Sequence, residues 1–157
     1  MKDRNIPLHY KVYENVNELD TEIAALIADA RKFSKNAYAP YSKFRVSAVL
    51  KLESGEILRG TNVENASFPV SVCAERNLLS ATISNYPGRI IQTLVIYVDK
   101  KLPEPASPCG MCRQALVEAE QNQRAPITLY LAADGGPVFR FSDCSGLLPL
   151  AFSGAHL

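Results

Sequence analysis

Three cysteines constrain this chain more than any other residues. Cys73 begins the run Cys73-Ala74-Glu75-Arg76, and 36 residues later the chain reads Pro108-Cys109-Gly110-Met111-Cys112-Arg113-Gln114 from its second cysteine motif. Cys109 and Cys112 are three apart, which puts both on one face at a helix start. A helix N-terminus favours thiolate over thiol, because free N–H groups and the positive end of the dipole face the sulfur. Between the two motifs lies Ile90 to Val98, apolar almost throughout, which reads as a buried strand. The two motifs therefore open helices on either side of one central strand. That places them near one end of a sheet.

The rest of the chain supplies the other parts of such a sheet. Leu19, Ile23, Leu26, Ile27, Ala30 and Phe33 recur at helical spacing and predict a helix over about 17–36, with Asn17 as its N-cap. Phe44, Val46, Ala48, Leu50 and Leu52 alternate with polar residues, as in a strand. Glu53-Ser54-Gly55-Glu56 is a hairpin turn, and Ile57 to Asn62 returns. A helix continues from Cys73 through Asn77 to Ile83, and another runs from Cys109 to about 121. Ile127 to Ala132 and Val138 to Phe141 are the last strands, around the turn Asp134-Gly135-Gly136-Pro137. This order predicts an α/β fold: a three-layer α/β/α sandwich with a mixed five-stranded sheet. Residues 1–16 show no clear period and read as an N-terminal arm, leaving 17–157 as a single catalytic domain.

Composition narrows the function. A formal charge of +1 with only scattered Lys and Arg disfavours a polynucleotide substrate, which calls for a basic stripe or patch. No run of about 20 apolar residues is present, so no membrane span is expected. Asp3 and Arg4 precede any apolar stretch, which is unlike a signal peptide, and a cytoplasmic protein is expected.

The chemistry rests on ligand number. Three thiolates from Cys73, Cys109 and Cys112 leave a fourth tetrahedral position for water, as a catalytic zinc requires. A structural site would fill it, and Cys144 is the one further cysteine, with no partner ligand at motif spacing. Glu75 stands two residues from Cys73, about 200° around a regular helix, so the two point apart unless Cys73 takes a cap conformation. A glutamate beside metal-bound water can take its proton and pass it on. The alternative for Glu75 is that an acid simply suits a helix N-terminus. Arg76 and Arg113 adjoin ligands and are candidates to donate to thiolate sulfur, or else are ordinary surface arginines. A cysteine with an acid two residues on, then Pro-Cys-x-x-Cys, is the ligand-plus-base pattern of a zinc deaminase.

Further segments sharpen this into a resemblance. They are Ala37-Tyr38-Ala39-Pro40-Tyr41-Ser42-Lys43-Phe44, Asn62-Val63-Glu64-Asn65-Ala66-Ser67 and Leu147-Leu148-Pro149-Leu150-Ala151-Phe152, beside the two cysteine motifs. With them the chain resembles the small, homotetrameric, zinc-dependent cytidine deaminases from about Ala37 to Phe152. The resemblance implies one Zn2+ per chain on Cys73, Cys109 and Cys112, with Glu75 as proton shuttle. It implies that Asn62 and Glu64 bind the ribose 3′-hydroxyl, that Phe44 packs on the pyrimidine, and that the Ala74 N–H meets the pyrimidine O2. Ala66, Phe68 and Phe152 would come from neighbouring subunits. The implied reaction is hydrolytic deamination of cytidine and 2′-deoxycytidine, by zinc-bound hydroxide attacking C4. Three positions depart from the family pattern: Phe68 replaces a tyrosine, Met111 a small residue, and Ser47 a glycine. Two rival readings are an aminonucleoside-antibiotic deaminase of the blasticidin type and a structural zinc module that binds partners.

Overall fold

The structure is a computed structural model and describes residues 1–157. The helices and strands are, in chain order, β1 (Lys11–Tyr13), α1 (Thr21–Phe33), β2 (Val46–Leu52), β3 (Ile57–Thr61), α2 (Ala74–Asn85), β4 (Ile91–Val98), α3 (Gly110–Gln123), β5 (Thr128–Ala133) and β6 (Val138–Phe141). The strands form one sheet in the order β1-β6-β5-β4-β2-β3. Only β4 and β5 are parallel, joined through α3, and the remaining pairs are antiparallel.

The two faces of the sheet are set by residue alternation, since neighbours along a strand point to opposite sides. Val49, Val95, Tyr97, Tyr130 and Ala132 pack against Ile23, Leu26, Ile27 and Ala30 of α1. Ala48, Leu50, Leu94, Ile96, Leu129 and Leu131 pack against Leu78 and Leu79 of α2 and Leu116 and Ala119 of α3. This is the expected three-layer α/β/α arrangement. Ser47 is fully buried on the α1 side, and its hydroxyl donates to the Ala30 carbonyl at 2.6 Å. The serine in place of glycine is thus satisfied by the last turn of α1.

The sheet has six strands, against the five expected. The sixth comes from the arm: Lys11, Val12 and Tyr13 pair antiparallel with Arg140, Phe139 and Val138. Tyr10 packs on Phe139 and Phe141 at ring-centroid distances of 5.1 and 5.2 Å. Three residues are too few to show a period, and this strand exists only through its partner.

Helix 17–36 resolves into α1 and two short 3-10 turns, Val16–Glu18 and Ser34–Asn36. Two caps compete within six residues. The Asn15 side chain accepts from Asn17 N–H at 3.0 Å, and the Asp20 side chain accepts from Ile23 N–H at 2.9 Å. Asp20, not Asn17, is the N-cap of α1. Strand β2 starts at Val46 instead of Phe44, because the Asn62 side chain takes the Val46 N–H at 2.8 Å and donates to the Phe44 carbonyl at 2.9 Å. Strand β5 starts at Thr128 because the Ile127 N–H goes to buried Glu120 at 2.7 Å.

One glycine brings the site-bearing helix onto the sheet. A Cβ at Gly60 on β3 would lie 2.8 Å from Leu78 Cβ and 3.2 Å from the Ala74 carbonyl oxygen. Its absence lets the first turns of α2, next to Cys73 and Glu75, settle directly on β3.

Candidate active site

Cys73 and Cys109 are the N-cap residues of α2 and α3, both with extended backbone (ψ 154° and 166°) and neither with a side-chain capping bond. Cys112 sits one turn into α3 and is fully buried. The three sulfurs lie within 4.8 Å of one another, with Cys109 and Cys112 at 3.5 Å. The extended Cys73 backbone answers the rotation problem posed by Glu75. Outside the helix, Cys73 is free of the helical 100° step, so Cys73 and Glu75 face one cleft.

The electrostatics reflect a crowded, poorly solvated cluster. Burial raises the Cys73 thiol and raises Cys112 further, with the Glu75 charge adding to both. At Cys109 burial also opposes the thiolate, but the Cys112 and Met111 N–H groups and the neighbouring thiols outweigh it, and the pKa falls below that of an ordinary thiol. Glu75 is only 5% exposed, and burial raises its carboxyl above the usual carboxylate range. Its own backbone N–H, the Cys112 thiol and Arg76 offset part of that rise. A compact set of three soft sulfur donors fits zinc. Cys144 lies apart from it, buried, its sulfur 3.8 Å from the Ile127 carbonyl. It supplies no fourth ligand to the cluster.

The two arginines next to the cysteines in sequence separate clearly. Arg113 spends its guanidinium on Pro108 O (2.8 Å), Leu147 O (3.1 Å) and Ser107 Oγ (2.9 Å). It clamps the Cys109 turn to the C-terminal segment and has no sulfur partner. Arg76 reaches Ser71 O at 3.4 Å, and its Nε is buried without any partner. That Nε is a buried donor left without an acceptor, three residues along the chain from Cys73.

Cys73, Cys109 and Glu75 stand at the wall of a cleft of about 720 Å³, within the usual range for small-molecule sites, with Cys112 buried behind it. Phe44, Asn62, Glu64, Phe68 and Ala74 line it as well. Phe44 is half-buried, while Phe68 is 70% exposed and meets Tyr41 edge-on at 6.0 Å. Ala66 is exposed and does not line this cleft. Phe152 also stands away from it, 60% exposed, stacked on His156 at 5.5 Å with its carbonyl held by Gln114. Ser42 and Ser107 line the cleft too, and residue-by-residue reading gave neither a role. For Ser42 the available signal was a serine two residues before Phe44, the spacing of a hydroxyl that accepts a backbone N–H.

The Glu64 carboxylate is exposed to solvent but heavily held. It accepts Tyr41 N–H at 2.9 Å, Ser42 N–H at 3.3 Å and the Ser42 hydroxyl. The Ser42 hydroxyl is the main cause that holds its pKa below the usual value.

The chain is similar to known proteins in sequence and fold. The family model for the cytidine and deoxycytidylate deaminase zinc-binding region matches residues 20–127. A cytidine deaminase of Halalkalibacterium halodurans is 38% identical over 128 residues, spanning 82% of this chain and 92% of that protein. One of Sporosarcina psychrophila is 37% identical over 132 residues, spanning 84% and 92%. The crystal structure of cytidine deaminase from Burkholderia pseudomallei superposes with a TM-score of 0.72 at 34% identity, covering 85% of this chain and all of that one. With three thiols at two helix starts, a buried glutamate beside them and this match over most of its length, the chain belongs to the cytidine and deoxycytidylate deaminase family.

Proposed function

We propose that this protein is a zinc-dependent hydrolase that converts cytidine and 2′-deoxycytidine to uridine and 2′-deoxyuridine with release of ammonia. The observation that carries the reading is the buried Glu75 carboxyl beside the Cys73, Cys109 and Cys112 sulfurs, on the wall of a cleft of nucleoside-accommodating size. Zinc on the three thiolates would supply a Lewis-acidic centre with one position left toward the cleft. The net charge of such a centre would be about −1, and the unpartnered Arg76 Nε would temper it by donating to a thiolate.

The chain's own residues handle the protons. Glu75 takes a proton from the attacking water and delivers it to pyrimidine N3 as oxygen bonds to C4. It then moves the remaining hydroxyl proton to the C4 amine, which leaves as ammonia while the C4 carbonyl forms. The buried setting suits this work, since a carboxyl raised toward neutral pH both accepts and returns a proton. The Ala74 N–H, at the start of α2 and on the cleft wall, would donate to O2 of the base. Phe44 would offer an apolar face to the ring, and Asn62 and Glu64, which line the same cleft, would receive the ribose 3′-hydroxyl. The nucleoside-side residues in the cleft favour this over the blasticidin-type reading. Uridine formation from cytidine by purified, zinc-replete protein tests the proposal, and zinc-loaded protein that leaves cytidine intact would overturn it.

The site reads as shared between copies. Phe68, Val70, Met111, Leu150 and Phe152 are all at least 60% exposed, large apolar side chains of the kind that mark an interaction surface when they group together. A homotetramer in which Ala66, Phe68 and Phe152 border a neighbour's cleft would cover them. Sedimentation should then give about four times the 17.2 kDa chain mass, and Phe152→Ala should lower kcat/KM with zinc retained. A fully active monomer would remove both claims. Residues 17–157 would be the catalytic domain, with 1–16 an arm attached through β1. No helix is long and apolar enough to cross a membrane, and reduced thiols with a free nucleoside substrate fit pyrimidine salvage in the cytoplasm.

A further inference from the structure

A closed circuit of hydrogen bonds links the cleft residues that face the nucleoside. Phe44 N–H donates to Ser42 Oγ at 3.0 Å, and the Ser42 hydroxyl donates its one proton to Glu64 Oε1. Asn62 Nδ2 donates to the Phe44 carbonyl at 2.9 Å, and Val46 N–H returns to Asn62 Oδ1 at 2.8 Å. The backbone closes the loop again: Glu64 N–H to Tyr38 O at 2.8 Å, and Tyr38 N–H to Asn62 O at 3.2 Å. Lys43, between Ser42 and Phe44, takes a left-handed conformation with φ 57°. Such a conformation is uncommon for a residue other than glycine, and it is held here because its flanking residues are both tied down.

Counting acceptors shows what the circuit does. A carboxylate has about four lone-pair sites. Glu64 Oε2 takes two N–H donors, from Tyr41 and Ser42, and is filled. Oε1 takes the Ser42 hydroxyl, which leaves one lone pair open for a ligand. Ser42 has no freedom in this: accepting from Phe44 N–H turns its proton toward Glu64.

We propose that Ser42 is a positioning residue for nucleoside recognition: its hydroxyl ties the Glu64 carboxylate to the Phe44 backbone and so aims the open Oε1 lone pair at a sugar hydroxyl. This rests on the reading that Glu64 receives the 3′-hydroxyl. It adds that base and sugar recognition are coupled, because the same hydroxyl fixes the residue under the base and the acceptor for the sugar.

The test compares kcat/KM for cytidine and 3′-deoxycytidine in the zinc-loaded protein and in Ser42→Ala, Ser42→Thr and Glu64→Ala. The unmodified protein should prefer cytidine, and Glu64→Ala should remove most of that preference, with Asn62 left as the remaining partner of the hydroxyl. Ser42→Ala should cut it about tenfold, the scale of one hydrogen bond to a charged group, mainly through a higher KM for cytidine. Ser42→Thr keeps the hydroxyl and should recover most of the preference. Zinc content in each variant reports that the fold is intact. If Ser42→Ala keeps the full preference, or loses activity equally on both substrates, Ser42 does not position the acceptor. If Glu64→Ala keeps the preference, the reading of Glu64 is wrong and the inference falls with it.

Discussion

Glu75→Gln should lower turnover of cytidine by at least about 10²-fold, the smallest loss expected when a general acid–base group is removed, while zinc stays bound. The amide keeps the shape of the side chain and its place in a buried pocket. It can neither take a proton from water nor return one to the leaving amine. The variant should still bind the substrate, since the cleft residues Phe44, Asn62 and Glu64 are untouched. Single-turnover measurement with zinc analysis separates chemistry from metal loss. Turnover within tenfold of the unmodified protein would exclude the shuttle role.

Cys112→Ser should cost the metal itself. Cys112 is fully buried, 3.5 Å from Cys109, at the inner corner of the sulfur cluster. A hydroxyl is a harder donor that stays protonated at neutral pH, so two thiolates would be left to hold zinc. Zinc content should fall from one per chain to near zero, and uridine formation with it. Cys144→Ser makes the same change elsewhere in the core, where the sulfur meets the Ile127 carbonyl, and should leave zinc content as it was. Metal analysis of the two proteins side by side decides. Stoichiometric zinc in Cys112→Ser, or its loss in Cys144→Ser, would refute the three-cysteine assignment.

The cysteine cluster and the sandwich were legible in the sequence because each depends on local spacing. Pro-Cys-x-x-Cys fixes its own geometry at a helix start, and the Ile90 to Val98 run declares a buried strand by composition alone. The features that escaped are those made by distant partners. Strand β1 has three residues and becomes a strand only against β6, 125 or more residues away in the pairing of Tyr13 with Val138. The periodicity through residues 17–36 runs smoothly over the break at Asp20, because apolar spacing carries no information about which acid caps the helix. Arg76 and Arg113 look alike beside their ligands. Only the approach of Leu147 to α3 shows that Arg113 is already fully engaged. Ser42 lies within a segment that carries the family resemblance, yet its hydroxyl bonds Glu64, 22 residues on, which local spacing does not reveal.

The short β1 strand also bears on how the protein behaves when concentrated. An exposed sheet edge offers unpaired N–H and C=O groups to other chains, and long apolar edges seed aggregation. At one end of this sheet the outermost strand is only Lys11–Tyr13, with a lysine on it. At the other end β3 is five residues long and carries Arg59, whose side chain bonds Asp29 of α1. Both borders are short and charged, so they give incoming strands little to template on. Removing the arm would expose β6, with Phe139 and Phe141 stripped of Tyr10, and turn a guarded border into a sticky one.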